Sequence, residues 1–208
     1  TDGPFVSLET SRGCRGRCSY CTSAGSLPVR YASVDWLATQ LEVLVRRGVR
    51  EVRLLDRTFN DDAARCVGRL DRLRTEFPSL RFHLELHPAK LPKRVRDALA
   101  KAPAGHLHLE VGLQTSAPRA LEAIGRQSDA HSAWQGLAWL CAQPNLETHV
   151  DLLAALPEQS LADVLSDLDR LTGLAPAEIQ LEVTKILPGT TLAAEAREPW
   201  FSDDAAGR

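Results

Sequence analysis

Cys14, Cys18 and Cys21 stand within eight residues, in the string Cys14-Arg15-Gly16-Arg17-Cys18-Ser19-Tyr20-Cys21 with spacing C-x3-C-x2-C. Thiolates are soft ligands, and three on one short loop can close around a metal cluster without drawing in distant chain. Three is one fewer than a saturated structural site usually holds, and an open metal position is where chemistry takes place. Gly13 and Gly16 give the loop freedom to wrap, and Arg15 and Arg17 offset the charge of a thiolate cluster. The same residues also fit a zinc loop that borrows a distant fourth ligand, or three unrelated thiols.

The elements that must position this loop alternate. Strand candidates are Phe5–Thr10, Val49–Asp56, Arg81–His87, Leu107–Gln114, Glu147–Ala154 and Glu178–Ile186. Amphipathic helices are expected between them. Ser33–Arg46 puts Trp36, Leu37, Leu41, Leu44 and Val45 on one face, with Ser33 as cap. Asp61–Glu76, Leu91–Lys101, Ser116–Ile124 and Asp129–Gln143 follow, Pro92 and Pro118 suiting first helical turns. Ser160-x-x-Asp163 reads as a capping box before a further helix.

Strand–helix alternation implies an α/β fold of parallel strands joined by right-handed crossovers. Side chains alternate across a strand. Phe82, Leu84 and Leu86 oppose His83, Glu85 and His87; Leu107, Leu109, Val111 and Leu113 oppose His108, Glu110, Gly112 and Gln114. Val150, Leu152 and Ala154 oppose His149 and Asp151, and Ile179, Leu181 and Val183 oppose Gln180 and Glu182. A doubly wound sheet, covered by helices on both faces, reads as nearly continuous apolar runs. These strands have one apolar face for helices and one polar face, which fits a curved sheet with a wet lumen better. An open sheet with one solvent-facing side is the alternative.

At 208 residues the chain is long enough for one domain with a substantial core. With 25 Lys plus Arg, 27 Asp plus Glu and a net charge of −2, no global basic excess indicates nucleic acid. No apolar run reaches membrane-spanning length, and no signal peptide is read. Five cysteines, three of them clustered, point to a reducing compartment and metal binding rather than a disulfide framework. The absence of any Met is read as the mark of a segment of a longer protein. Cys66 and Cys141 fall on apolar helix faces, where a thiol behaves as a small hydrophobe.

The stretch from Glu9-Thr10-Ser11-Arg12-Gly13-Cys14 through Cys18-Ser19-Tyr20-Cys21 resembles the signature loop of the radical S-adenosylmethionine (SAM) enzymes. The Ser-Arg-Gly-Cys lead-in and Asp56-Arg57-Thr58-Phe59-Asn60 resemble the branch often linked to a cobalamin-binding domain. The resemblance implies a partial (β/α)6 TIM-like barrel over residues 1–208, a single core domain. It also implies that Cys14, Cys18 and Cys21 hold a [4Fe-4S] cluster whose fourth iron binds the amino and carboxylate groups of SAM. Asp56 matches the SAM ammonium region by position and charge only. Glu85 matches a strand-end acid near SAM, Gln114 a SAM-contacting glutamine, and Arg126 an arginine that pairs with the SAM carboxylate, for which a bidentate fork is suited. Asp151 matches an aspartate on the ribose, Tyr20 an aromatic against the adenine, and Lys185–Thr190 a segment along the adenine. Two departures stand out: Ala155 where the family usually has Gly, and Glu158-Gln159 where it has Gly-Glu.

The implied activity is reductive cleavage of SAM to a 5′-deoxyadenosyl radical that abstracts hydrogen from a substrate in the lumen. His83, His87, His108 and Glu110 are the candidate substrate contacts. A reductant protein such as flavodoxin or ferredoxin, and a cytoplasmic setting, accompany that reading. A cobalamin-dependent methyltransferase with cobalamin in a separate domain is one alternative. A non-catalytic iron–sulfur or zinc module for binding or electron transfer is another. Arg126 and Asp56 also read individually as surface ion-pair residues, and the histidines as solvated or internally paired.

Overall fold

A computed structural model of the chain describes residues 5–126 and 128–196. The elements run β1 (Phe5–Leu8), β2 (Ser11–Arg12), β3 (Arg30–Tyr31), α1 (Val34–Arg46), β4 (Glu51–Leu54), α2 (Ala63–Glu76), β5 (Arg81–Leu86) and α3 (Lys93–Ala100). They continue β6 (Leu107–Gln114), α4 (Pro118–Ala123), α5 (Ala130–Cys141), β7 (Glu147–Ala154), α6 (Leu161–Leu174), β8 (Glu178–Val183) and α7 (Thr191–Glu195).

Strands β1, β4, β5, β6, β7 and β8 form one sheet in that order, each neighbouring pair parallel. Each crossover sets its strand beside the previous one, the arrangement that strand–helix–strand units produce. The alternation along the strands sorts their two faces as expected. Phe82, Leu84, Leu107, Leu109 and Val111 are buried under the helices, while His83, Glu85, His108 and Glu110 turn the other way. Removing each such apolar side chain from water stabilises the fold by roughly 1.5–3 kcal/mol before chain entropy is counted. Leu41, Leu70, Leu99 and Leu137 supply the helix side of this core.

The caps follow from local chemistry. Ser33, Asp62 and Asp129 accept hydrogen bonds from first-turn N–H groups of α1, α2 and α5. Ser160 and Asp163 form the full capping box at α6. Pro118 opens α4 as expected, but Pro92 is the residue before α3, because that helix starts at Lys93.

Several expectations are corrected. β1, β4, β5 and β8 end before Thr10, Asp56, His87 and Ile186, since the chain there leaves the sheet to build loops at the carboxyl ends. The buried face of α1 is Leu37, Ala38 and Leu41, with Trp36 and Val45 at its exposed margin. On β8, Leu181 and Val183 are 44% and 66% exposed rather than helix-covered, because β8 is the edge of the sheet. The two-residue strands β2 and β3, which pair antiparallel, and the five-residue α7 carry too little periodicity to be read in advance.

Candidate functional site

The cysteine loop is closed at its base by the β2–β3 pairing, Ser11 opposite Tyr31 and Arg12 opposite Arg30. Inside that closure Cys14 N–H donates to Ser26 O and Gly25 N–H to Gly16 O, at 3.1 and 2.7 Å. Gly13 has φ +108°, and a Cβ there would lie 2.4 Å from the Ser26 carbonyl, so only glycine allows the turn. Ser19 N–H donates to Ile124 O at 2.8 Å, tying the far side of the loop to the end of α4.

All three loop thiols are free, half-buried and on the wall of one cavity of about 310 Å³. Each sulfur has an N–H donor: Gly16 N–H at 3.3 Å from Cys14, Ser23 N–H at 3.4 Å from Cys21, and Arg126 Nη1 at 3.7 Å from Cys18. Such donors stabilise negative charge on a sulfur that ligates metal. The donor set therefore fits a thiolate-bound cluster.

Asp56 is not on that cavity. It is fully buried, and its carboxylate accepts from Thr10 N–H at 2.7 Å, Ser11 N–H at 2.6 Å, the Thr10 hydroxyl and Arg69 Nη1 at 3.2 Å. Arg69, from α2, also donates to Thr10 O at 3.0 Å. With its acceptor positions filled, Asp56 has none left for a SAM ammonium. It acts as a strut that fixes the lead-in to the cysteine loop, a buried ion pair rather than a surface one.

The other candidates converge. Tyr20, Glu85, Gln114, Arg126 and Asp151 line the same cavity as the three cysteines, together with Arg57, Lys90 and Glu110. Arg126 Nη2 donates to Gly112 O, and a Cβ on Gly112 would meet Gln114 Nε2 at 2.7 Å. Gln114 has φ +71° next to a register shift in the β6–β7 pairing. A non-glycine residue held in the left-handed region is often found at functional sites. Tyr20 packs against Ala117, Ala120, Ile124 and Leu156, and burial pushes its hydroxyl pKa up, with Arg126 opposing. Tyr20, Gln114, Asp151 and Lys185 also line an adjoining cavity of about 260 Å³ along β8.

Electrostatics separate the carboxylates. Burial, then Glu110, raises Asp151 to about 7, and the same two causes raise Glu85. Glu110 is lowered, chiefly by its hydrogen bond from His83, whose Nε2 is 2.9 Å away. His87 is driven to about 3 by burial and then by Arg126 and Lys90, so it is neutral. Its Nδ1 accepts from Ala89 N–H.

Sequence reading missed Asn60 and Asp61. Asn60 is buried and holds the loop after β5, donating to His87 O and Lys90 O and accepting from His87 N–H. Asp61 takes Lys90 at 2.8 Å and Arg15 of the cysteine loop at 3.1 Å. Only the string Asp56–Asn60 hinted at them. Cys66 is buried, and burial pushes its thiol up to about 12, the behaviour of a core residue.

The sequence model of the radical SAM superfamily matches residues 8–171. The chain is similar to the ribosomal protein uS12 methylthiotransferase RimO of Streptomyces griseus, at 28% identity over 82% of this chain and 36% of that protein. It is similar to an uncharacterized methyltransferase, PH0819, of Pyrococcus horikoshii, at 26% identity over 59% of this chain and 27% of that protein. Among solved structures it resembles the radical SAM methyltransferase TsrM of Kitasatospora setae with cobalamin and a [4Fe-4S] cluster bound. That match has a TM-score of 0.79 and 20% identity, over 91% of this chain and 36% of the other. It also resembles SuiB of Streptococcus suis bound to SAM, with a TM-score of 0.72 and 14% identity, over 90% of this chain and 42% of the other. These likenesses show the partial TIM-like barrel. The chain spans less than half the length of these relatives.

Proposed function

Because the chain belongs to the radical SAM superfamily, we propose that residues 1–208 form a radical SAM core domain, with Cys14, Cys18 and Cys21 holding a [4Fe-4S] cluster open to SAM. Bound there, the cluster would supply one electron to cleave SAM, giving a 5′-deoxyadenosyl radical for hydrogen abstraction from a substrate. The observation that carries this reading is that three half-buried thiols, each with an N–H donor, line one cavity with Arg126.

The chain's own residues bind and orient. Arg126 is fixed between Gly112 O and the Cys18 sulfur, where its guanidinium can receive the SAM carboxylate. Gln114, Glu85 and Asp151 supply hydrogen-bond partners for the rest of SAM, and the apolar bed under Tyr20 holds that ring for the adenine. Asp56, saturated by Thr10, Ser11 and Arg69, fixes the lead-in to the cysteine loop instead of meeting SAM. An electron must come from outside, so the partner is a reductant protein such as flavodoxin or ferredoxin. The five free cysteines support a reducing, cytoplasmic setting; among the described residues no helix is long and apolar enough to cross a membrane.

A second reading is methyl or methylthio transfer. The activities of similar methyltransferases and methylthiotransferases favour it, and cobalamin would then sit in another domain. The test is SAM cleavage by the reconstituted, chemically reduced chain. 5′-Deoxyadenosine is expected from wild type and none from the Cys14→Ala, Cys18→Ala, Cys21→Ala variant. Equal yields from both would remove this reading and leave the binding or electron-transfer module.

A further inference from the structure

Asp167 stands on α6 and is only 3% exposed. The donors that reach its carboxylate come from the two residues after β6. Oδ2 accepts from Thr115 Oγ1 at 3.1 Å and from Ser116 N–H at 2.8 Å, and Oδ1 accepts from Ser116 Oγ. Thr115 Oγ1, also buried, accepts in turn from Ala117 N–H at 3.1 Å. Ala117 is the N-cap of α4 and offers no side-chain cap of its own. Buried polar groups are costly unless they are paired, so the turn and the carboxylate hold one another in place.

This turn separates two parts of the lumen wall. Before it lies Gln114, at φ +71° where the β6–β7 register shifts. A non-glycine residue keeps such a conformation only where its surroundings over-determine it, and the bonds to Asp167 fix the chain immediately after it. Beyond the turn α4 runs from Pro118 to Ala123, and the next residue, Ile124, accepts from Ser19 N–H of the cysteine loop at 2.8 Å. A Cβ on Gly125 would lie 2.9 Å from Arg17 O, so the end of α4 sits directly against that loop. Arg126 follows, in contact with the Cys18 sulfur and Gly112 O.

We propose that Asp167 is a positioning residue of the SAM site, which sets the β6–α4 turn from α6 and thereby places Gln114 on one side and Arg126 with the cysteine loop on the other. The inference rests on the reading of Gln114 and Arg126 as SAM contacts. Asp167 itself lines neither lumen cavity, so it acts through the turn and not by touching SAM. The requirement is for acceptors. Asp167→Asn keeps an oxygen for Ser116 N–H and can donate its amide to Ser116 Oγ, whereas Asp167→Ala keeps neither contact.

The test compares Asp167→Ala with Asp163→Ala, which removes the capping box at the start of the same helix and touches no residue of the turn. Both variants should lower the urea midpoint. By isothermal titration of reconstituted protein, SAM affinity should fall about tenfold in Asp167→Ala and stay within about twofold of wild type in Asp163→Ala and Asp167→Asn. In the cluster-free chain, hydrogen exchange of the Ser19 amide, at the far end of α4, should be about tenfold faster in Asp167→Ala than in Asp163→Ala. SAM affinities alike in the two alanine variants would overturn the proposal, since the loss would then follow stability alone. Ser19 exchange alike in the two would overturn the route through α4. Wild-type protein that binds no SAM would remove the site reading and the proposal with it, and a Ser19 amide still responding to Asp167→Ala would identify that as the failure.

Discussion

Arg126 Nη1 stands 3.7 Å from the sulfur of Cys18, a contact made across 108 residues. It joins the loop after α4 to the cysteine loop. The same guanidinium donates to Gly112 O on β6. One side chain thus ties the cysteine loop to the sheet.

That arrangement needs the planar fork. Arg126→Lys keeps the charge and loses the second donor arm. Isothermal titration of reconstituted protein should show SAM affinity falling by about tenfold, roughly 1.4 kcal/mol, with iron content retained. Unchanged affinity would place the SAM carboxylate elsewhere.

Asp56→Asn leaves Arg69 buried with its charge uncompensated. Breaking a buried pair in this way costs roughly 3–5 kcal/mol. Urea unfolding of the variant should show that loss, and reconstitution should recover less iron because the Thr10–Ser11 lead-in is released. A variant as stable as wild type would show that the strut is dispensable.

Ala155 has φ +59° and is exposed, a left-handed conformation that glycine adopts without the cost a Cβ brings. Ala155→Gly should raise stability by about 1 kcal/mol, read as an increase in denaturation midpoint with unchanged slope. A decrease would mean that the lost Cβ contributes more than the strain it relieves.

His87 links stability to pH. Burial holds its pKa at about 3 in the fold, against an ordinary 6.5 in the unfolded chain, so the unfolded chain binds more protons between them. The contribution from keeping His87 neutral is fully present above pH 6.5 and is lost as pH falls toward 3. Asp151, raised to about 7, acts oppositely: the folded chain holds its proton longer, so that contribution is lost as pH rises toward 7. Unfolding free energies of the cofactor-free chain from pH 4 to 8 should therefore fall less on acidification in His87→Gln than in wild type. Parallel curves would contradict a buried neutral imidazole.

Much of this was legible in the sequence. β6 and β7 have the expected bounds because His, Glu and Asp alternate cleanly with Leu and Val along them. The cysteine spacing singled out one loop, and Glu85, Gln114, Arg126 and Asp151 line the same cavity as its three thiols. Asp56 was misleading: an aspartate ending a strand looks like a ligand, and only tertiary structure brings Arg69 from mid-helix to saturate it. The exposure of Leu181 and Val183 depends on what covers an edge strand, which periodicity does not encode. The placing of His83 beside His108 and of Glu110 beside His149 arises from strand register, which no single strand reveals.

The central claim is an iron–sulfur site open to SAM. Its most direct test is electron paramagnetic resonance of the anaerobically reconstituted, reduced chain with and without SAM, against the triple cysteine-to-alanine variant. The account predicts a [4Fe-4S]+ signal that shifts when SAM is added and is absent from the variant. A wild-type signal indifferent to SAM, or no cluster signal at all, would contradict it.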